Sequence, residues 1–233
     1  MFEIKKLSFL LLLVTASLAM EAQSFWFGPK VGGGLSFQQW SNFEPNPIFA
    51  PSIDLCIESY DELKTGSIYA SLGYHTRGSR IRSFTFNGDF FGNQGFRFNN
   101  ASLELGIKKE FTSKDKISLF YLFGIRGEYT ISNNLKEYER FANAFYPLPP
   151  FANKIVYGAT FGGGITYPLG EFYQGVLELT IAPDLRDQYF QPPLNNVRDP
   201  FSGMNVTIPE RRIKNLSVEL KASFMFLRKV VYY

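Results

Sequence analysis

The sequence is poor in cysteine and histidine, with one residue of each, Cys56 and His75, among 233. A single cysteine excludes an internal disulfide and any metal site built from several cysteines. It also argues against a lipoprotein, because it stands far from the N-terminal apolar segment. The formal net charge is only +3, which gives no reason to expect a nucleic-acid partner. We therefore expect no metal, no cofactor and no nucleic acid.

Long hydrophobic runs are also scarce. The run Leu7–Leu18 is shorter than the ~20 residues that a membrane helix needs. It follows the basic segment Met1–Lys6 and precedes the small residues Ala19 and Ala22, as in a secretory signal peptide. We predict a signal peptide over residues 1–22, cleaved after Ala22, with cleavage after Ala19 as the alternative. Without a second long run, the mature chain could cross a membrane only as strands closed into a barrel.

Aromatic residues and glycine are abundant, with 25 Phe, 13 Tyr and 20 Gly. Apolar and polar residues alternate with a period of two, which is typical of strands that have two different faces. In the segment 121–131, for example, apolar residues alternate with Arg126 and Glu128, and eight such segments recur along the chain. We predict an all-β fold, an eight-stranded antiparallel transmembrane β-barrel, over residues 23–226.

The connections between these segments alternate in length. Outer-membrane barrels have long extracellular loops, short periplasmic turns and an even number of strands. The pattern begins and ends with short connections, so we expect both termini in the periplasm of a bacterial outer membrane. The long connections are 38–47, 78–100, 132–154 and 183–212, and the short ones are 58–66, 112–116 and 168–171.

The C-terminal residues 227–233 follow the end of the clean alternation at Phe226. They are either a separate periplasmic tail, which could contact another protein, or an extension of the last strand in a changed register. The sequence leaves both readings open.

A soluble β-sandwich or lipocalin would also alternate, but its apolar face would point inward. It would not need aromatic residues at both ends of its strands. Such residues form girdles at the two interfaces of a membrane barrel, which is why we favour the membrane. The expected periplasmic girdle is Phe25, Phe27, Phe111, Tyr167, Phe224 and Phe226, and the expected outer girdle is Phe37, Phe49, Tyr129 and Tyr157.

The polar face of the strands carries charges of both signs in nearly equal number. An eight-stranded barrel is just wide enough for side chains to fill it, and buried charges must be paired. We predict a network of interior ion pairs that plugs the barrel, in preference to a polar transport pathway. Its expected members are Lys30, Asp54, Glu58, His75, Arg77, Glu104, Lys108, Arg126, Glu128, Glu178, Glu219 and Lys221.

Two of these contacts are predicted from the short turns. The turn near Lys114 places Arg126 diagonal to Glu104, where a charge-assisted pair is expected. The turn near Gly170 places Glu178 opposite Gly162, whose missing side chain would leave space for the carboxylate. We interpret the glycine triplets around positions 33 and 163 as structural, because a phosphate-binding loop would continue with Lys-Ser/Thr and open a helix.

His75 and Cys56 are the residues that could carry chemistry. Ser71, four residues before His75 on the same strand face, is about 13 Å away, too far for a nucleophile–base contact. Asp54 could approach His75 from the next strand, but that pair fits the interior network. Two neighbouring carboxylates would make Cys56 a poor nucleophile. We therefore expect a protein that is not an enzyme.

The long connections are rich in aromatic residues and proline, and Asn87-Gly88 is a strong hairpin signal. A strand pair is expected to project above the membrane here. These connections either pack on each other as a cap or present stiff aromatic anchors to a partner. The predicted partner-binding loops contain Phe84, Phe86, Phe90, Phe91, Phe96, Phe98, Tyr189, Phe190 and Phe201.

Several segments resemble the PorT-like outer-membrane β-barrel family across the mature chain. They are the signal end at Ala22-Gln23, the first strand Gly28–Gly34, the third-strand end Gly73–Ser79 and the strand Asn100–Phe111. The resemblance implies a small outer-membrane barrel. The name-giving member of that family is linked to protein secretion and gliding, but no residue pattern carries that role to this chain.

The function expected from all of this is that of a non-enzymatic accessory or surface subunit of an outer-membrane assembly, in secretion, biogenesis or surface machinery. Its partners would be outer-membrane lipid and other outer-membrane or surface proteins. A stand-alone membrane-anchored surface binding protein is the alternative. A small outer-membrane enzyme or a narrow channel ranks below both.

Overall fold

The computed structural model describes residues 24–40, 45–61, 65–84, 90–111, 117–137, 147–199 and 202–230, with backbone only at 81–84 and 90–94. Eight long strands and three short ones follow one another in these residues. A short 3-10 helix, Pro149–Phe151, lies between the fifth and sixth strands. The strands are β1 Ser24–Trp40, β2 Asn46–Tyr60, β3 Gly66–Phe84, β4 Phe90–Glu110, β5 Ser118–Asn133, β6 Ile155–Pro168, β7 Tyr173–Pro183, β8 Tyr189–Gln191, β9 Leu194–Arg198, β10 Asn205–Ile208 and β11 Arg211–Arg228.

The eight long strands close into a barrel. Each pairs antiparallel with the next along the chain, and β11 pairs with β7 on one side and with β1 on the other. The closing ladder runs from Phe25 opposite Arg228 to Trp40 opposite Ile213. The predicted eight-stranded antiparallel barrel is therefore confirmed. The short strand β8 extends the sheet beside β11, and β9 and β10 form a separate two-stranded hairpin.

The barrel has two distinct ends. The first strand begins and the last strand ends at one of them, called the termini end. The connections β2–β3, β4–β5 and β6–β7 also lie there. The opposite end, called the loop end, carries the other connections, including β8, β9 and β10. Among the described residues, no helix is long and apolar enough to cross a membrane.

The alternating sequence produces a barrel whose outside is apolar. On β5 buried and exposed residues alternate along almost the whole strand, so that Ile125 is 65% exposed while Arg126 is 1% exposed. Leu103 on β4 and Leu179 on β7 are likewise more than half exposed. A soluble sandwich would place these side chains inward. Apolar outside and polar inside is instead the arrangement of a barrel surrounded by lipid.

Aromatic residues border this apolar surface near both ends of the strands. At the termini end Phe27 packs on Phe226 with ring centroids 5.7 Å apart, and Tyr173 stacks on Phe224 at 5.9 Å. Of the residues expected in the two girdles, Phe25 and Phe37 are half-buried. The others are exposed on the outer wall: Phe27, Phe49, Phe111, Tyr129, Tyr157, Tyr167, Phe224 and Phe226.

The register between β6 and β7 differs from the prediction. Glu178 lies opposite Gly164, not opposite Gly162, because the turn is centred beyond Gly170 and Pro168 pairs with Gln174. A Cβ on Gly164 would come within 2.7 Å of the Phe120 ring, so this glycine makes room for an aromatic ring rather than for the carboxylate.

The last strand is longer than predicted. It continues past Phe226, with Leu227 opposite Trp26 and Arg228 opposite Phe25 in an unchanged register. Residues 227 and 228 thus belong to the strand, and no change of register accompanies them. Beyond them, the amide of Val230 donates to Oγ of Ser24 at 3.0 Å, and residues 231–233 lie outside the described residues.

The hairpin predicted in the connection 78–100 continues the wall of the barrel. Strands β3 and β4 stay paired from Gly66 opposite Lys109 to Phe84 opposite Phe90. The predicted turn at Asn87-Gly88 lies outside the described residues. The paired strands nevertheless extend beyond their neighbours, as expected for a projecting hairpin.

Candidate functional site

Ionisable side chains fill the barrel interior, because every second residue of each strand points inward. Eleven of the twelve residues predicted for the interior network are buried, and Glu104 is half-buried. Apart from Glu104, their charges are compensated in two groups along the barrel axis. The groups are described below from the middle of the barrel outward to each end.

The only histidine lies at the centre of the first group. His75 Nε2 is 2.8 Å from Oδ1 of Asp54, and its Nδ1 is 3.5 Å from Oε2 of Glu219. Lys221 Nζ lies 3.3 Å from Oδ2 of Asp54 and 2.9 Å from Oε2 of Glu219, so it bridges the two carboxylates. Gly73 faces Asp54 across β2 and β3, and a Cβ there would collide with the carboxylate. Gly73 therefore leaves the space that the Asp54 carboxylate occupies beside His75.

Two arginines extend the group toward the loop end. Arg77 contacts Glu219 and donates from Nη2 to Oε1 of Glu128 at 2.9 Å. Arg126 Nε lies 2.6 Å from the same Glu128 oxygen, and its Nη2 lies 2.6 Å from Oδ1 of Asp184. Glu128 thus joins both guanidinium groups, and this chain of alternating charges satisfies groups that would be costly to bury singly.

The predicted pair between Arg126 and Glu104 is wrong. The two residues lie directly opposite each other, not diagonally. Arg126 pairs with Glu128 and Asp184 instead, and it shares with Glu104 only the hydroxyl of Thr160. Glu104 accepts from the hydroxyl of Tyr69 at 2.7 Å and from that of Thr160 at 2.6 Å.

Arg126 turns toward the loop end because the facing residue there is a glycine. A Cβ on Gly158 would come within 2.8 Å of Arg126 Nη2. The guanidinium occupies this space and reaches Asp184. This partner has little signal in the sequence, because Asp184 follows the last strand residue, Pro183, and was assigned to a loop.

A second group of charges lies toward the termini end. Lys30 Nζ is 2.9 Å from Oε1 of Glu178. Lys108 Nζ lies 3.1 Å from Oε1 of Glu58 and 3.2 Å from Oε1 of Glu110. Glu110 was missed in the sequence because it stands at the strand end, next to the exposed Phe111.

An apolar cluster packs among these charges. Cys56 is part of it and is buried, as a small filler residue would be. The Lys108 ammonium lies 4.5 Å from the centroid of the Phe120 ring, a cation–π contact within the same region. The cluster consists of Trp26, Cys56, Tyr69, Phe120, Leu122, Val176 and Met225.

The termini end opens into a polar cavity of about 870 Å³. Its lining includes Glu58 and Glu110, the carboxylates that hold Lys108, together with the ring of Trp26. Lys108 itself and the members of the apolar cluster other than Trp26 are not part of this lining. Among the described residues, no three histidine, cysteine or carboxylate side chains are grouped so that they could hold a metal ion.

The loop end is closed by an aromatic cap. Trp40 packs on Phe96 with ring centroids 5.2 Å apart, and Phe151 packs edge-on against Tyr189 at 6.2 Å. The Tyr189 hydroxyl donates to Oε1 of Gln191 at 2.7 Å and accepts from the amide of Leu148 at 2.9 Å. Burial raises the pKa of Tyr189 to about 12. The cap residues are Trp40, Phe96, Phe98, Leu135, Tyr189 and Ile213.

Amide side chains connect the cap to the charge network. Asn100 Nδ2 donates to Glu128 at 2.6 Å, and Asn215 Nδ2 donates to Asp184 at 2.7 Å. Gln188 Oε1 accepts from both Asn100, at 3.3 Å, and Asn215, at 3.2 Å. The network therefore continues through neutral amide side chains on the loop-end side of Glu128 and Asp184. The sequence analysis did not identify these amides.

Solved structures provide the comparison with known proteins. The outer membrane protein OprG from Pseudomonas aeruginosa superposes with a TM-score of 0.54 at 8% identity, covering 90% of this chain and 97% of OprG. The chain has the fold of an outer-membrane β-barrel. Ail of Yersinia pestis, in complex with the heparin analogue sucrose octasulfate, gives a TM-score of 0.42 at 10% identity, with 87% and 99% coverage. Neisserial surface protein A gives 0.39 at 8% identity, with 84% and 95% coverage.

No protein-family model and no curated protein matches the chain. Membership of the PorT-like family therefore stays a prediction. The outer-membrane fold supports a location in the outer membrane, and at these identities the likeness to solved structures concerns the fold alone.

The barrel places the predicted partner-binding aromatics in different environments. Phe96, Phe98 and Tyr189 are 0% exposed and form the core of the cap, so they cannot form an exposed face. Phe190, which points the other way from its neighbour on β8, is 38% exposed. The side chains of Phe84, Phe90 and Phe91, and the whole of Phe86 and Phe201, lie outside the described residues.

Proposed function

We propose that the protein is a plugged, non-enzymatic outer-membrane barrel that serves as an accessory or surface subunit of an outer-membrane assembly. The observation that carries this proposal is the closure of the interior. Arg77 and Arg126 are each 1% exposed within compensated charge clusters, and the aromatic cap covers them. An interior filled in this way leaves the exterior as the surface available to partners.

The proposed orientation places the termini end in the periplasm and the loop end outside the cell. It is supported by the position of the strand extensions. The β3–β4 hairpin and the separate β9–β10 hairpin both lie at the loop end, as the larger connections of outer-membrane barrels do.

The β9–β10 hairpin offers a surface to a partner. Met204, between its strands, is 67% exposed, and Val197 and Val206 form a cross-strand pair that is only half-buried. Backbone edges of a two-stranded hairpin can also accept a further strand. A partner protein that covers this hairpin would bury apolar surface that is now exposed.

The interior supports the non-enzymatic part of the proposal. His75 is 4% exposed and lies between Asp54 and Glu219, below the cap. A catalytic base must reach its substrate within hydrogen-bond distance. A lipid or peptide substrate would have to displace the cap to do so, and we therefore assign His75 to the structural network.

The test is to replace residues 192–209 with a short Gly-Ser connection. The change keeps Tyr189 and Gln191 in the cap and leaves the barrel wall intact. The shortened and the full-length proteins are cross-linked in cells, extracted in mild detergent and compared by native gel for the size of the complex. A matched control replaces Met204 with Ser and leaves the hairpin backbone in place.

We expect the full-length protein to migrate as a complex and the shortened one as a single barrel, while both keep their heat-dependent gel mobility. The single Met204→Ser change should give an intermediate loss. A full-length protein that is always a single barrel would support the stand-alone surface binder instead. A shortened barrel that keeps its complex would place the interface on the barrel wall or at the termini end.

A further inference from the structure

Four exposed cations gather on the outside of the barrel at the loop end. The cationic patch consists of Lys154, Arg186, Arg212 and Lys214. The side chains of Arg212 and Lys214 are 56% and 47% exposed. The residues come from three separate parts of the chain: the residue before β6, the segment after β7, and β11.

Backbone hydrogen bonds of the segment after β7 bring these parts together. The amide of Gln188 donates to the carbonyl of Ile213 at 2.8 Å, and the amide of Asn153 donates to the carbonyl of Gln188 at 2.9 Å. Lys214 follows Ile213 in the sequence, and Lys154 follows Asn153. The fold therefore holds the backbone positions of the patch close together.

The patch lies at the edge of the apolar surface. Exposed apolar residues adjoin it in sequence: Ile155 is 58% exposed, Leu185 60% and Leu216 41%. Lys214 and Leu216 share the outer face of β11 and are about 7 Å apart along the strand. Cations at this level have their charged ends where lipid headgroups begin, while their stems lie along apolar surface.

An aromatic residue stands at the same level. The Arg212 guanidinium lies 5.1 Å from the ring centroid of Phe190, which is 38% exposed. Aromatic rings at the interface between hydrocarbon and headgroups are a general feature of membrane proteins. The ring and the guanidinium together mark this part of the wall as interfacial.

Positive charge exceeds negative charge in the patch. Lys214 lies 3.9 Å from Asp187, and Arg212 lies 2.5 Å from Glu210. Lys154 and Arg186 supply two further positive charges, so the patch can attract an anion.

We propose that the cationic patch binds the phosphate groups of anionic lipids in the membrane leaflet next to the loop end. Arginine and lysine are the side chains that recognise phosphate, through forked hydrogen bonds and as point charges respectively. A lipid fits better than a soluble phosphate, because its acyl chains would lie against Ile155, Leu185 and Leu216 while its phosphate meets the cations. The proposal does not depend on any protein partner.

The experiment uses the full-length barrel in an uncharged detergent, with phosphatidylglycerol and phosphatidylcholine as competing lipid probes. Native mass spectrometry measures how much of each lipid remains bound. A triple variant, Lys154→Gln, Arg186→Gln and Lys214→Gln, removes three of the four patch charges. A matched control, Lys109→Gln, Arg228→Gln and Lys229→Gln, removes three charges at the termini end.

We expect the wild type to prefer phosphatidylglycerol by at least about tenfold, since each cation near an anionic lipid surface adds to the attraction. The triple variant should lose most of that preference, and the control variant should keep it. Added salt should weaken the preference of the wild type more than that of the triple variant.

Three outcomes would overturn the proposal. The triple variant could keep the full preference, or the control could lose as much as the triple variant. Inorganic phosphate could also displace the lipid at equal concentration, which would make the patch a general anion site. Gel mobility before and after heating shows that each variant has folded, so that loss of binding can be separated from loss of structure.

Discussion

The buried guanidinium of Arg126 allows the interior network to be tested quantitatively. Its side chain is 1% exposed and lies 2.6 Å from oxygens of both Glu128 and Asp184. Arg126→Ala leaves two buried carboxylates with one partner fewer each. Removing one member of a buried ion pair costs about 3–5 kcal/mol. Glu128 retains Arg77 and Asp184 retains Asn215, so we expect the lower end, about 3 kcal/mol of unfolding free energy.

A double-mutant cycle identifies the partner of Arg126. The sequence predicts Glu104, while the structure places Asp184 against the guanidinium and holds Glu104 with hydroxyl groups. Arg126→Ala combined with Asp184→Asn should show a coupling energy of about 1–3 kcal/mol. The same change combined with Glu104→Gln should show a smaller coupling energy, because Arg126 and Glu104 are linked only through the hydroxyl of Thr160. Glu104→Gln is the matched control, because it removes a carboxylate at the same level of the barrel.

The assay is reversible urea unfolding in lipid vesicles, followed by tryptophan fluorescence and by gel mobility without heating. Both signals should give the same midpoint if the barrel unfolds in one step. A coupling to Glu104 as large as that to Asp184 would refute the assignment. So would an Arg126→Ala protein that unfolds at the wild-type urea concentration.

Further predictions concern the barrel as a whole, its cap and its end. Unheated and boiled samples should migrate differently on a gel, and planar-bilayer recordings should show no steady conductance, whereas a stable open pore would contradict the plugged interior. Because the pKa of Tyr189 is raised to about 12 in the folded protein, the unfolded chain loses this proton first. The contribution of Tyr189 to stability should therefore be complete below about pH 10 and be lost as the pH rises toward 12, and Tyr189→Phe should reduce that loss in an alkaline thermal melt. Removing residues 229–233 should leave heat-dependent mobility intact, whereas also removing Leu227 and Arg228 should impair insertion, which is measured by recovery in the membrane fraction.

The period-two alternation was enough to predict the strands and the two faces of the barrel. A residue such as Ile125 or Arg126 has its side of the wall fixed by its position in the strand, because side chains alternate strictly. Pairing between neighbouring strands requires more information. A turn one residue further along moved Glu178 from Gly162 to Gly164, and the sequence around Gly170 did not distinguish the two turns.

Interior contacts could be predicted only as a set. The sequence showed that the charges would be buried together and nearly balanced, but long side chains reach several possible partners across the barrel. Arg77 and Glu219 are 142 residues apart in the chain and meet because β3 and β11 face each other across the interior. Which partner each charge takes depends on the free space beside glycine residues such as Gly73 and Gly158. Neither effect has a local sequence signature.

The aromatic connections show why residue type alone did not separate a cap from a binding face. Phe96 and Phe190 are both phenylalanines in long connections, yet Phe96 is 0% exposed and Phe190 is 38% exposed. Phe96 points inward because the strand alternation of β4 continues above the apolar band and still directs every second residue into the barrel. The same alternation places Arg97, between Phe96 and Phe98, on the outer wall. Because the strands stay paired in this aromatic-rich connection, Phe96 and Phe98 are buried in the cap while Arg97 between them is exposed. On that argument, recognition by this barrel would depend more on its outward-facing charges and on the β9–β10 hairpin than on the phenylalanines that dominate the connections in the sequence.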